Sequence, residues 1–258
     1  MSNKIDYKSI QSLYDNYSPL KTNGDFADIL FDITLDTKYQ KSNVDFARRD
    51  ITELIYKNYP NETTIKAALL EKHFFKSPSV ISGFETPVNN SRVDLCRINK
   101  YSFAFEIKTD LDNLNRLKKQ LTDYSSVFEY VYVICSEKRL VDVTNAVSDH
   151  IGIYYYRQNR KRDYSFFLFR QADRSHILSP SAQLRMLTSK ERSLFSTIIP
   201  DTLSQNDTET VNLLFKHALK ERYRKRWDFI IRNKNKIYRI DYQFFFKTLM
   251  DPELIYGR

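Results

Sequence analysis

The segment from Ser91 to Tyr124 constrains the fold of this chain more than any other part of it. Two runs rich in β-branched and aromatic residues, 93–98 and 101–107, lie on either side of a short polar loop, a pattern typical of a β-hairpin. Because side chains alternate between the two faces of a strand, Glu106 and Lys108 share one face. The pattern therefore predicts a hairpin that presents an acidic and a basic side chain together.

The length of the hairpin loop decides whether Asp94 joins this pair. Asp94 lies opposite Glu106 if the loop has an odd number of residues, such as 99–101, or if one strand carries a bulge. A two-residue turn would direct Asp94 to the opposite face of the sheet.

An amphipathic helix is predicted after the hairpin, with Thr109 or Asp110 as its N-cap. Gln120 lies one helical turn before Tyr124, at the border of the apolar stripe, from which it can reach the strand ends. The apolar positions of this helix recur every three or four residues, at 111, 114, 117, 121, 124 and 128.

The flanking segments complete a mixed topology. Before the hairpin, a helix is expected over 61–75 and a strand over 80–84. A buried strand over 129–135 is expected after the amphipathic helix that follows the hairpin. The predicted fold class is α/β, with the order helix, three-stranded antiparallel meander, helix, strand, and with a helical C-terminal extension. The predicted regions are a helical N-terminal arm over 1–58, a core over 59–171 and a helical, basic C-terminal region over 172–258.

These residues resemble the PD-(D/E)xK nuclease superfamily, and more narrowly its small branch from prophages and other bacterial mobile elements. The resemblance covers roughly residues 61–157, with a weaker similarity over 181–194. It implies a restriction-endonuclease-like core and Mg²⁺-dependent cleavage, without indicating a particular substrate. The motifs that carry it are Arg92-Val93-Asp94, Phe105-Glu106-Ile107-Lys108-Thr109-Asp110, Arg116-Leu117, and Gln120 with Tyr124.

Such a site needs these residue types for chemical reasons. Asp94, Glu106 and the backbone carbonyl of Ile107 are candidate oxygen ligands for Mg²⁺ or Mn²⁺. Lys108 would hold or help deprotonate the attacking water and stabilise charge on the phosphate. Gln120 would orient the water or the phosphate, and Tyr124 would pack and hydrogen-bond nearby.

Further carboxylates could assist this site, and each has a structural alternative. Glu62 in the first turn of a helix and Glu85 at the end of a strand are possible additional catalytic residues. The alternative for Glu62 is favourable placement at a helix N-terminus. Asp94, Glu106 and Lys108 could themselves form an ordinary cross-strand ion pair.

The charge of the chain favours a polyanionic partner. The formal net charge is +9 and the sequence pI is about 9.3, which suit a polyanionic partner such as nucleic acid, with DNA as the expected partner. The alternative is a soluble basic protein that binds no nucleic acid. A homodimer or a larger complex is a possible assembly. The predicted nucleic-acid-binding residues are Arg116, Lys119, Arg222, Arg224, Lys225 and Arg226, although those of the C-terminal helix could equally form a solvated face.

Several classes of protein are disfavoured. Two cysteines make no disulfide framework, and the four histidines lack the spacing of a zinc or HNH site. The sequence has no Gly-rich phosphate loop, and no apolar run approaches the roughly 20 residues of a membrane span. A cytoplasmic protein without membrane association is therefore expected.

The sequence thus predicts a metal-dependent nuclease that hydrolyses phosphodiester bonds of DNA. One alternative is a protein of the same fold that binds nucleic acid without cleaving it. Another is an interaction protein for defence or counter-defence of a mobile element, whose basic surface contacts an acidic protein partner.

Overall fold

The fold is known from a computed structural model that describes residues 6–39, 46–77, 79–198, 207–247 and 256. Parts of the predicted N-terminal arm and C-terminal region lie outside the described residues. These parts are 1–5, 40–45, 199–206, 248–255 and 257–258.

A six-stranded mixed sheet forms the centre of the molecule, and its strands follow one another in chain order. The first three strands form an antiparallel meander. The fourth is parallel to the third, the fifth is parallel to the fourth, and the sixth closes an antiparallel hairpin. The strands are β1 (Ile81–Val88), β2 (Ser91–Ile98), β3 (Ser102–Lys108), β4 (Tyr130–Ser136), β5 (Gly152–Gln158) and β6 (Tyr164–Arg170).

Helices surround the sheet. The helix α4 packs on β3, α5 packs on β2 and β4, and α9 packs on β1. The helices are α1 (Tyr7–Asn16), α2 (Asn23–Thr34), α3 (Ala47–Asn58), α4 (Glu62–Leu69), α5 (Leu117–Ser125), α6 (Leu140–Ala146), α7 (Pro180–Met186), α8 (Ser189–Ile198), α9 (Thr208–Asn233) and α10 (Phe244–Lys247). A mixed α/β fold is therefore confirmed, with the predicted order of α4, meander, α5 and β4.

The loop between β2 and β3 has the odd length that the site requires. Leu95 pairs with Phe105 and Ile98 with Ser102, so the loop consists of residues 99–101. If this register continues by one residue past the pair Leu95–Phe105, Asp94 lies opposite Glu106. The two carboxylates therefore lie on one face of the sheet.

Two predicted boundaries are wrong. The helix α5 begins at Leu117, not at Thr109 or Asp110, and Leu111 is 56% exposed. The Asp112 carboxylate accepts hydrogen bonds from the backbone and the hydroxyl of Thr109 at 2.8 and 2.7 Å, which stabilises a turn in place of the first helical turns. Glu85 lies inside β1 and not at the end of a strand.

Side-chain caps begin the helices that follow the sheet. The Asp207 side chain accepts a hydrogen bond from the Thr210 amide at the start of α9. A capping box joins Thr188 and Glu191 at the start of α8. One face of α9 is buried, at Val211, Leu214, Phe215, Ala218, Leu219, Tyr223 and Trp227.

The helix α9 approaches the sheet closely at one glycine. A Cβ atom at Gly83 would lie 2.5 Å from the Tyr223 ring, so the absence of a side chain lets α9 approach β1. The hydroxyls of Tyr223 and Thr86 are 2.9 Å apart. This contact joins α9 to β1, the strand that carries Glu85.

Candidate active site

A cleft of about 610 Å³ opens where β2, β3 and α5 meet. Asp94 lies on β2, Glu106 and Lys108 on β3, and Gln120 on α5. All four predicted catalytic residues line this cleft, together with Ile107. Sequence-distant segments thus bring the predicted side chains to one surface.

The Lys108 side chain joins the strand to the helix. Its Nζ donates to Glu106 Oε1 at 2.7 Å and to Gln120 Oε1 at 3.1 Å. Gln120 can reach Lys108 because α5 packs against β2 and β4. The amine is therefore held in a fixed position at the cleft.

The second oxygen of Glu106 is held from α5. The Tyr124 hydroxyl lies 2.7 Å from Glu106 Oε2 and 2.7 Å from the Arg92 carbonyl oxygen, and its single proton can be donated to either. Burial and the nearby Glu106 carboxylate raise the pKa of Tyr124 well above its usual value, so the hydroxyl stays protonated. Tyr124 therefore acts as a donor that orients Glu106.

Asp94 is held by the backbone of the neighbouring strand. Its Oδ2 accepts the Ile107 amide hydrogen at 2.7 Å. Burial, and then the Glu106 carboxylate, raise the pKa of Asp94, and burial also raises the pKa of Glu106. Burial thus disfavours the ionised forms of these two adjacent carboxylates. A hard divalent cation, which prefers carboxylate oxygens as ligands, would stabilise the ionised forms.

A second group of carboxylates lies beside Asp94. One carboxylate oxygen from each of Glu62, Glu85 and Asp94 lies within 4.8 Å of the others, a spacing that could hold a metal ion. Glu85 adopts a left-handed backbone with φ of 52°, which is a strained conformation for this residue type. Both predicted additional carboxylates are therefore close to Asp94.

Lys66, which the sequence analysis overlooked, lies inside this second group. It forms ion pairs with Glu62 and Glu85, and its Nζ is 3.9 Å from Asp94 Oδ1. The only sequence pattern that points to Lys66 is its spacing of four residues from Glu62, which predicts an ion pair on a helix. The same spacing is typical of exposed helical ion pairs, so it does not distinguish a buried lysine.

Basic side chains lie at the rim of the cleft. Arg92 Nε contacts Glu85 Oε2 at 2.6 Å, while most of the Arg92 side chain is exposed. Arg116 and Lys119 also line the cleft, and Lys119 Nζ pairs with Asp123 at 3.0 Å. The rim is thus able to contact an anionic ligand.

The predicted basic residues of α9 lie elsewhere. Arg222 forms an ion pair with Glu191 at 2.6 Å and Arg224 forms one with Glu221 at 2.8 Å. Lys225 is exposed and Arg226 is half-buried. Among the described residues, the lining of the cleft does not include any of these four side chains.

The fold and the cleft define a mixed α/β protein whose central sheet carries a buried group of carboxylates and lysines. The family described as Bacteriophage P4 protein cII matches residues 56–244, more than half of the chain, and the chain belongs to this family. The matched region includes the whole cleft. The chain is thus related to proteins of phages and mobile elements, as predicted.

Protein cII of Enterobacteria phage P4 is 33% identical to this chain over 102 residues. The match covers 38% of this chain and 39% of the phage P4 protein. No solved structure matches the chain significantly. In the described part of the chain, the helices are too short or too polar to cross a membrane.

Proposed function

We propose that this protein is a divalent-metal-dependent nuclease of the PD-(D/E)xK type that hydrolyses phosphodiester bonds of DNA. The order α4, β1, β2, β3, α5 and β4 is the one that the resemblance implies for a restriction-endonuclease-like core. The convergence of Asp94, Glu106, Lys108 and Gln120 on one cleft is the observation that carries the proposal. The basic rim at Arg92, Arg116 and Lys119 supports an anionic polymer as the substrate.

The residues of the cleft fit a divalent ion of the Mg²⁺ or Mn²⁺ class. Asp94, Glu106 and the Ile107 carbonyl would hold it, because this ion prefers carboxylate, carbonyl and water oxygens. When bound, such an ion makes a coordinated water more acidic and withdraws charge from a phosphate.

The remaining side chains would position the reactants. Lys108 Nζ can donate hydrogen bonds to the attacking water or to a phosphate oxygen, and thereby stabilise the negative charge that develops there. Gln120 fixes the direction of Lys108 through the contact at 3.1 Å. Tyr124 holds the Glu106 carboxylate in place by its hydrogen bond to Oε2.

The experiment is a cleavage assay with Mg²⁺ or Mn²⁺ titrated into wild type and Lys108→Ala. Plasmid, linear duplex, single-stranded DNA and RNA are offered separately, so the assay also identifies the substrate. Lys161→Ala is a matched control, because Lys161 is exposed in the turn between β5 and β6. We expect metal-dependent cutting of DNA by wild type and the control, and its loss in folded Lys108→Ala.

A second candidate is a protein of the same fold that binds nucleic acid without cleaving it. Lys66 favours this candidate, because it already neutralises part of the carboxylate group without any metal ion. In that case wild type and Lys108→Ala would retain DNA equally and neither would cut it. A protein complex that resists salt, with no retention of DNA, would instead favour the interaction protein.

A further inference from the structure

Lys66 is a buried lysine whose amine is surrounded by oxygen atoms. The residue is 1% exposed on α4, one helical turn after Glu62. Its Nζ forms ion pairs with Glu62 and Glu85, lies 3.9 Å from Asp94 Oδ1, and donates to Gln243 Oε1 at 3.2 Å. Three carboxylates and one amide oxygen thus surround a single ammonium group.

This set of oxygens would suit a divalent ion if the lysine were not there. The oxygens of Glu62, Glu85 and Asp94 are close enough together for one cation to contact all three. Burial acts to lower the pKa of Lys66, but Asp94, Glu62 and Glu85 outweigh it and raise the pKa. The ion pairs with Glu62 and Glu85 place the lysine amine where such an ion would lie.

The surrounding backbone holds the carboxylates toward the lysine. Glu85 faces Asp94 across the β1–β2 pair, between the pairs Phe84–Leu95 and Thr86–Val93. Its left-handed φ of 52° interrupts the regular strand at this point. Gln243 reaches the same amine from the C-terminal region. Three separate parts of the fold therefore converge on Lys66.

Repulsion between cations agrees with this arrangement. A divalent ion in contact with Glu62, Glu85 and Asp94 would lie beside the Lys66 ammonium group, which already pairs with Glu62 and Glu85. Two cations at one buried position would repel each other.

We propose that Lys66 is a positioning residue that fills the second cation position of the site, so that the protein binds one divalent ion per chain. This inference rests on the proposed metal-dependent function, in which Asp94, Glu106 and the Ile107 carbonyl hold that ion. Glu62 and Glu85 then hold Lys66, and Asp94 is shared between the lysine and the ion.

The test counts bound ions with Mn²⁺ and needs no measurement of activity. Free Mn²⁺ is followed by electron paramagnetic resonance in titrations of wild type, Lys66→Met and Lys66→Met/Glu85→Gln. We expect one ion in wild type, two in Lys66→Met, and one in the double variant. Lys66→Arg, which retains the charge, should bind one.

The outcomes separate this inference from the proposed function. Two ions in wild type, or one in both wild type and folded Lys66→Met, would overturn the role of Lys66 and leave the metal-dependent site standing. No ion in wild type and one in Lys66→Met would support the role of Lys66 and contradict the proposed metal centre. No ion in either protein would contradict both.

A second variant covers the case in which Lys66→Met does not fold. The Glu62 side chain is 43% exposed, so Glu62→Gln should fold. If Glu62 holds Lys66, Glu62→Gln still binds one Mn²⁺ with an affinity within about threefold of wild type. A loss of affinity of tenfold or more would make Glu62 a direct ligand and overturn the inference.

Discussion

Two buried groups of charged residues in this molecule differ in how completely they are neutralised. The first is the cleft group, in which four carboxylates contact three cations. The second is the Asp241 network, in which one carboxylate binds Arg48 at 2.8 Å and the hydroxyls of Tyr17 and Tyr256. Because buried charges are costly unless paired, the proposed divalent ion would neutralise further acid in the cleft, whereas Asp241 is already paired with the Arg48 guanidinium.

The two groups also differ in what they connect. The Asp241 network joins Arg48 on α3 and Tyr17 after α1 to the C-terminal region. Asp241 is fully buried, whereas Arg48 and Tyr17 are partly buried. The cleft group instead borders an open cavity of about 610 Å³. We therefore expect the Asp241 network to contribute stability and the cleft group to contribute ligand binding, and mutations can test this difference.

The largest expected effect on stability is that of Arg48→Met. Loss of the guanidinium leaves the buried Asp241 carboxylate without its cation, and such a change costs about 3–5 kcal/mol in the free energy of unfolding. Urea denaturation measures it. The neighbouring Arg49 side chain is 57% exposed, so Arg49→Met should cost less than about 0.5 kcal/mol. An equal loss in the free energy of unfolding for both variants would contradict a structural role of the network.

Asp94→Asn should weaken Mn²⁺ binding by about 100-fold or more. It removes a charged ligand, and even residues that only support a ligand commonly contribute 10- to 100-fold to metal affinity. Asp241→Asn is the matched change in the other group and should leave the affinity unaltered in folded protein. If both substitutions weaken binding equally, the distinction between the two groups fails.

In the absence of metal, Asp94→Asn should stabilise the protein. Burial and Glu106 raise the pKa of Asp94, so the stability that its protonated form contributes at low pH is lost as pH rises through the folded-state pKa. Asparagine avoids that loss. In chelator at neutral pH we expect a rise in Tm of about 2–4 °C, the shift that roughly 1 kcal/mol gives in a chain of this size.

The gain from Asp94→Asn should disappear at acidic pH, where the carboxyl group is protonated in both folded and unfolded protein. Thermal melts of wild type and variant over a pH series would establish this. A gain that is independent of pH would mean that the substitution acts through packing and not through charge.

The smallest expected effect concerns the rim of the cleft. If Lys119 contacts a DNA phosphate, Lys119→Ala reduces the slope of log K against log salt by about 0.9 on duplex DNA. Fluorescence anisotropy at several salt concentrations measures the slope. Lys161→Ala should leave it unchanged, and an unchanged slope for Lys119→Ala would place the DNA elsewhere.

Predictions from sequence succeeded where the determining contacts are local. A loop over 99–101 was one of the alternatives that the spacing left open, and this loop pairs β2 with β3 so that Asp94 lies beside Glu106. The order of α4, the meander, α5 and β4 likewise follows from the apolar pattern within each segment.

Predictions failed where another contact competes with the local pattern. The start of α5 was misplaced because the Asp112 carboxylate binds the Thr109 backbone, and no helical period reveals that turn. Lys66 was overlooked because Glu85 and Gln243, which bury it, come from other parts of the chain. The left-handed backbone at Glu85 could not be predicted either, because this conformation is usually found at glycine and the residue here is a glutamate.

The most direct test of the account compares DNA cleavage by wild type, Lys108→Ala and Arg48→Met at a temperature at which all three are folded. With Mg²⁺ or Mn²⁺, we expect wild type and Arg48→Met to cut at similar rates and Lys108→Ala to lose at least about 100-fold, with all cutting abolished by chelator. Cleavage that persists in chelator, or that Lys108→Ala retains at the wild-type rate, would contradict the assignment of the cleft as a metal-dependent active site.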